Sequence, residues 1–163
     1  MINFKNKGAL SIAYAAVIAA VYVVLTLIFA PISYGPIQVR VSEALCVLPI
    51  FTPAAVPGIF IGCLLANALG GAIIWDVVFG SLASLAAAYI SYLLRSKRVL
   101  AYLSPIVINA LVVPFVLKYA YGAEDMIWYM MFTVAAGEII SVGILGSILS
   151  IVLEKYRGIL FRE

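Results

Sequence analysis

Between Lys7 and Arg40 the chain carries no formal charge, and a second uncharged run extends from Glu43 to Asp76. A membrane hydrocarbon core takes about 20 consecutive apolar residues in helical form, and Gly8 to Ala30 meets that requirement. A cleavable signal peptide would be shorter and would end in a small-residue site, so this segment is read as a first transmembrane helix. Pro49, Pro53 and Pro57 interrupt the second run. One straight helix is therefore excluded, and a hairpin of a short second helix and a third is expected. Val77 to Leu94 predicts a fourth helix, Val99 to Leu117 a fifth, and Met126 to Leu153 a sixth that only Glu138 interrupts. The expectation is an all-α polytopic membrane protein: six transmembrane helices in one domain, residues 1–163.

Composition agrees. Of 163 residues, 66% are hydrophobic and 10% charged, where soluble domains carry about a quarter charged. The net charge of +3 comes from cations scattered between apolar runs, which is no footprint for nucleic acid. Histidine is absent, which removes the commonest metal ligand and the usual near-neutral proton shuttle and disfavours metal hydrolysis and His-based nucleophilic catalysis. Cys46 and Cys63 match no metal or redox spacing and are expected as small buried hydrophobes. No metal, cofactor or enzymatic activity is expected.

The cations set an orientation. With the N-terminus in the cytoplasm, Lys5, Lys7, Arg95, Lys97, Arg98, Lys155, Arg157 and Arg162 lie inside, and only Arg40 and Lys118 outside. That asymmetry suits an even number of spans with both termini cytoplasmic.

Small residues recur on three helices. The first carries Ala9, Ala13, Ala16 and Ala20, widened by Ala15 and Ala19; the third carries Gly58, Gly62, Ala66 and Gly70; the sixth carries Gly137, Ser141, Gly143 and Ser147. In lipid, such strips let helix backbones approach closely. Internal packing suffices for helices three and six, whereas helix one is as well suited to an external protein partner.

Ionisable groups are costly in a span and normally face a cavity or a partner. Glu138 is the clearest instance, and Asn109 on helix five is a second intramembrane polar group. The topology places Gln38, Arg40 and Glu43 at the start of helix two and Asn67, Trp75 and Asp76 around the turn between helices three and four, all on the outer side. Simpler roles are open: Arg40 and Glu43 pairing along one helix face, Asn67 bonding a helix backbone, Trp75 anchoring at the interface. Together these groups describe an outward-opening pocket for a small, flat, polar molecule. A carboxylate accepts two parallel hydrogen bonds, which suits a guanine-like N1–H and exocyclic amine, or a cation. Asn and Gln serve a carbonyl edge, and Trp75, Trp128 or a tyrosine can stack on a ring.

The run from Ala30 to Leu45, Ala-Pro-Ile-Ser-Tyr-Gly-Pro-Ile-Gln-Val-Arg-Val-Ser-Glu-Ala-Leu, followed by Leu48-Pro49 and by Phe51 to Gly58, strongly resembles the QueT family of transport proteins. Gly62 to Asn67, Asp76 to Ser81, Asn109-Ala110 and Gly137-Glu138 extend the resemblance. It implies an S component, the substrate-binding membrane subunit of an energy-coupling-factor (ECF) transporter in a prokaryotic cell membrane. Such a subunit is a six-helix bundle without ATPase activity, works with a transmembrane coupling subunit (EcfT-like) and two cytoplasmic ATPases, and is thought to topple in the bilayer. The family's alanine face toward the coupling subunit maps onto Ala9, Ala13, Ala16 and Ala20. Its substrates are queuosine precursors such as 7-aminomethyl-7-deazaguanine or queuine. On this reading Ser33 to Ser42 forms a lid, with Tyr34 in a Tyr-Gly-Pro turn. Glu43 or Glu138 meets the deazaguanine edge, and the other acid or Asp76 meets the amine. No Gly-x-x-x-x-Gly-Lys-Ser/Thr loop is present, so ATP hydrolysis is left to partners. The rival class is a stand-alone proton-coupled carrier using Glu138 or Asp76.

Overall fold

The computed structural model describes residues 4–33 and 39–160. These residues are all-helical. In order they form α1 (Phe4–Ile28), the short α2 (Ala30–Ser33), a 3-10 helix (Val41–Ile50), α3 (Ala55–Leu69), α4 (Ile74–Leu93), α5 (Arg98–Tyr119), α6 (Ile127–Glu138), a π-helical segment (Ile139–Gly146), α7 (Ser147–Lys155) and the short α8 (Arg157–Leu160). Four stretches are long and apolar enough to cross a membrane: Gly8–Ile28, Ile74–Leu93, Arg98–Tyr119 and the continuous Ile127–Lys155. At 1.5 Å per residue the 20-residue α4 reaches 30 Å, one hydrocarbon thickness. The 3-10 helix and α3, of 10 and 15 residues, are the hairpin expected around the prolines.

The long helices pack in chain order, α1 on α3, α3 on α4, α4 on α5 and α5 on α6. The 3-10 helix is the hub, touching α1, α3, α4, α5, α7 and above all the π segment. Ser42 to Ile50 are buried without interruption, and a helix apolar all round needs such an enclosed position. Ten residues is long for a 3-10 helix. Pro49 has no N–H to give an α-helical ladder, and tertiary packing on every side holds the tighter winding. With three residues per turn, Glu43, Cys46 and Pro49 stack along one edge.

The small-residue strips divide their work. A Cβ on Gly58 would meet the Ala15 carbonyl oxygen at 2.9 Å, and one on Gly62 would meet Tyr22 Cβ at 2.7 Å and Ala19 Cα at 3.1 Å. These two glycines let α3 lie against α1 through the Ala15–Ala19 strip. Ala9, Ala13, Ala16 and Ala20 form the adjacent row of α1 and remain exposed. On the last helix a Gly146 Cβ would stand 2.7 Å from Val47 Cγ1, so that glycine seats the π segment on the hub.

The cations of the α4–α5 turn and of the C-terminal helices share one end of the bundle. Arg98 Nη2 lies 2.8 Å from Glu154 Oε2, and Tyr14 in the first half of α1 donates to the Leu160 carbonyl at 2.6 Å.

Candidate functional site

The hub places its N-terminal residues in the middle of the bundle. Arg40 caps the 3-10 helix, accepting the Glu43 N–H at 2.9 Å through its carbonyl, and the first turn carries Glu43 inward. Glu43 is 1% exposed. Its Oε1 accepts a hydrogen bond from Tyr22 of α1, and its Oε2 accepts from Cys46 Sγ at 2.9 Å, one 3-10 turn on. Thr26, a turn beyond Tyr22, donates to Ser42 Oγ at 2.7 Å. Helix one thus grips the start of the hub through two hydroxyls.

Glu138 ends α6 where the helix widens into the π segment. It is 6% exposed, and Asn109 of α5 donates to its Oε1 at 2.7 Å. Its Oε2 has no hydrogen-bond partner among the described residues, nor has the buried Ser141 Oγ. Single-turn π distortions concentrate at functional sites, and a buried unsatisfied carboxylate oxygen costs more than an ordinary orphan acceptor. Glu138, Asn109, Glu43, Arg40, Ser84 and Gly80 line one small cavity of about 10 Å³, room for roughly one water molecule. Arg40 is thereby brought beside Glu138. The sequence places Arg40 on the outer side among the pocket groups, and the fold carries it inward to the intramembrane acid.

A second set of contacts runs from this cavity toward the α3–α4 turn. Arg40 Nη1 makes a long contact of 3.5 Å with Asn67 Oδ1. Asn67 is fully buried, and its Nδ2 donates to the Asp76 carbonyl at 3.4 Å and to Cys63 Sγ at 3.7 Å. Ser84 donates to the same sulfur at 3.3 Å. Asp76 Oδ2 accepts from Tyr121 at 3.0 Å, and Tyr121 in turn accepts the Ile73 N–H at 3.3 Å. Gly80 completes the layer: a Cβ there would stand 2.9 Å from Asp76 Oδ1 and 3.1 Å from Asn67 Nδ2. Partial burial and the neighbouring Asp76 carboxylate raise the Tyr121 phenol above its usual value of 10.

Of the residues expected at the site, Arg40, Glu43, Asn109 and Glu138 share the cavity, while Asn67 and Asp76 form the layer beside it. Trp75 does not join them. It is 58% exposed, stacks on Phe79 at 5.9 Å, and with Phe115 and Tyr119 lines an apolar groove of about 510 Å³ between α4 and α5. Tyr34 and Gln38, and with them half of the expected lid, lie outside the described residues. Tyr22, Thr26, Ser84, Ser141 and Tyr121 are additions, and no spacing signal singles out one tyrosine or serine in a chain rich in both. The cysteines are buried as expected, but they also serve as hydrogen-bond partners of Glu43, Asn67 and Ser84.

Residues 12–155 match the family model described as QueT transporter. The chain belongs to the QueT transporter family. A curated relative in Lactococcus lactis subsp. cremoris (strain MG1363), named queuosine precursor transporter QueT, is 39% identical over 84 residues. That match spans 50% of this chain and 48% of the relative's length, so about half of each protein is compared. No solved structure matches. Family membership and the four long apolar helices make this a multi-pass membrane protein.

Proposed function

We propose that this QueT-family protein is the substrate-binding S component of an ECF-type transporter, six-spanning with both termini cytoplasmic, which captures a queuosine precursor outside and delivers it inward. The observation that carries this reading is the convergence of Arg40, Glu43, Asn109 and Glu138 on one buried cavity, with Glu138 Oε2 left without a partner. Two carboxyl groups against one guanidinium leave one acid without a cationic partner where the bilayer makes charge expensive. A 7-aminomethyl-7-deazaguanine cation brings the opposite charge on its amine. Its N1–H and exocyclic amine suit one carboxylate, and the Asn109 amide or the Arg40 guanidinium serves the ring carbonyl. The name of the Lactococcus lactis relative supports the same substrate class.

A bicyclic base is far larger than a space of about 10 Å³, so binding requires the walls to part. The hydrogen bonds from Tyr22 and Asn109 hold the two acids in place while that happens. Nucleotide hydrolysis is assigned to two partner ATPases. The exposed row Ala9, Ala13, Ala16 and Ala20 is assigned to the transmembrane coupling subunit, since a face without bulk admits another helix closely.

One observation favours a second reading. A buried carboxyl with an open oxygen also suits a proton-coupled carrier acting alone. Uptake of labelled deazapurine into liposomes separates the two. Accumulation that needs the coupling subunit, the ATPases and internal ATP supports the S-component reading. Accumulation by the purified chain alone under a pH gradient overturns it.

A further inference from the structure

We infer that the arginine-rich end of the bundle is a binding site for the phosphate of an anionic phospholipid headgroup. A cavity of about 370 Å³ opens there between the end of the hub, the α4–α5 turn and α8, and Arg95, Arg98 and Arg157 line it with Tyr92, Phe51 and Thr52. Nothing in the deazapurine reading uses these residues, and the inference does not depend on it.

The arginines are pre-arranged. Arg95 lies over the Tyr92 ring, 4.3 Å from its centroid, and donates to the Tyr92 carbonyl at 3.0 Å. Arg157 lies over the Phe51 ring at 5.9 Å. Glu154 reaches Arg98 at 2.8 Å and Arg157 at 3.5 Å. Three guanidinium groups against this one carboxylate leave two positive charges around a cavity large enough for a headgroup phosphate. Guanidinium forks match phosphate oxygens, and half-exposed side chains such as Arg98 and Arg157 (49% and 54%) sit at headgroup level while their stems follow apolar surface.

The neighbouring surface favours a lipid over a free anion. Arg98 also stands at the mouth of a second groove, of about 420 Å³, which runs between α5 and α7 past Tyr102, Ser147, Ser150 and Ile151. Ile151, on the stretch Ile127–Lys155 that is long and apolar enough to cross a membrane, is 74% exposed. An acyl chain from a headgroup on the arginines would therefore continue past Arg98 into this groove, with Tyr92 and Tyr102 at the interface where aromatic residues concentrate. Basic pockets between helices on the positively charged side of a membrane protein hold anionic headgroups in this way.

The test uses the full chain in detergent, titrated with phosphatidylglycerol, with phosphatidylcholine of the same chains, and with inorganic phosphate, while thermal unfolding is followed. The doubly substituted Arg95→Gln, Arg157→Gln variant keeps the Arg98–Glu154 pair. Lys118→Gln, which removes one positive charge and so matches the single Arg95→Gln variant, is the control at the far end of α5, about 30 Å away along a 22-residue helix. Phosphatidylglycerol is expected to raise the unfolding temperature of the unsubstituted chain and of Lys118→Gln at equal concentrations. The double variant should need about thirtyfold more, at roughly fivefold per basic group. Equal stabilisation by phosphatidylcholine, or by inorganic phosphate alone, overturns the anionic-lipid assignment, the latter in favour of a soluble phosphate ligand. An unaltered phosphatidylglycerol response in the double variant overturns the site. Should that variant not fold, Arg95→Gln alone, at an exposed turn, is expected to shift the titration about fivefold, and no shift overturns the proposal.

Discussion

Replacing Gly62 by alanine puts a methyl group where α1 and α3 leave no room for it. The added Cβ would lie 2.7 Å from Tyr22 Cβ, 3.0 Å from Tyr22 Cγ and 3.1 Å from Ala19 Cα. None of these is the free end of a flexible side chain, so the helices themselves must move. Restoring ordinary contact at 3.4 Å takes a separation of about 0.7 Å along the shortest vector, in a protein interior packed at crystal-like density. Overpacking of this kind costs about 1–3 kcal/mol, or a fall in unfolding temperature of roughly 2–12 °C for a chain of this size. The displacement falls on Tyr22, whose hydroxyl holds Glu43, so ligand affinity should drop with stability. Gly8→Ala is the control: nothing lies within 4 Å of its added Cβ, and an exposed helical glycine gains about 0.5–1 kcal/mol on becoming alanine. Thermal unfolding and deazapurine titration of the two variants in detergent give the comparison. A Gly62→Ala chain as stable as the parent, with unchanged binding, would refute the close α1–α3 approach and the route from packing to the site.

Three further outcomes follow from the same contacts. Tyr22→Phe leaves Glu43 Oε1 buried without its donor and should cost about 1–3 kcal/mol of stability by thermal unfolding; a neutral effect would mean that Tyr22 does not serve Glu43. Asn109→Ala removes the donor at 2.7 Å from Glu138 Oε1 and should weaken deazapurine binding about tenfold or more by calorimetry, while Asn109→Gln recovers part of it. The Tyr121 phenol is raised above 10, so its contact with Asp76 is complete below pH 10. It is lost as pH climbs through the higher folded-state value, because the unfolded chain ionises first. A spectrophotometric titration should therefore show a late-forming tyrosinate that moves part of the way back in Asp76→Asn, the part due to burial remaining.

The helices were legible because charge is so costly in a bilayer that uncharged runs mark them directly, with boundaries at Lys7, Arg40, Glu43, Asp76 and the Arg95–Arg98 cluster. The winding of two of them was not. Pro49 signals an interrupted helix, but the 3-10 geometry of Val41–Ile50 depends on being enclosed by five helices and the π segment. Hydrophobic residues all round Ile139–Gly146 carry no period that would distinguish a π segment from an α-helix. Glu138 and Asn109 stood out singly as polar groups inside apolar helices; their pairing across α5 and α6 is a tertiary fact. Arg40 was legible as a pocket group on the outer side, but its place beside Glu138 was not, because that depends on its capping position on a buried helix. The alanines of α1 form two adjacent rows, and only the fold shows that Ala15 and Ala19 take the internal contact while Ala9, Ala13, Ala16 and Ala20 stay outside.

The central claim is that the cavity walled by Arg40, Glu43, Asn109 and Glu138 receives a deazapurine, and calorimetric titration of the purified chain and its Glu138→Gln variant tests it most directly. The account expects saturable one-to-one binding of 7-aminomethyl-7-deazaguanine without any partner subunit. Loss of one charged hydrogen-bond acceptor in Glu138→Gln should weaken it by about 1.5–3 kcal/mol, tenfold or more. Equal affinity in the two proteins, or no heat with 7-aminomethyl-7-deazaguanine, queuine or guanine, would contradict it.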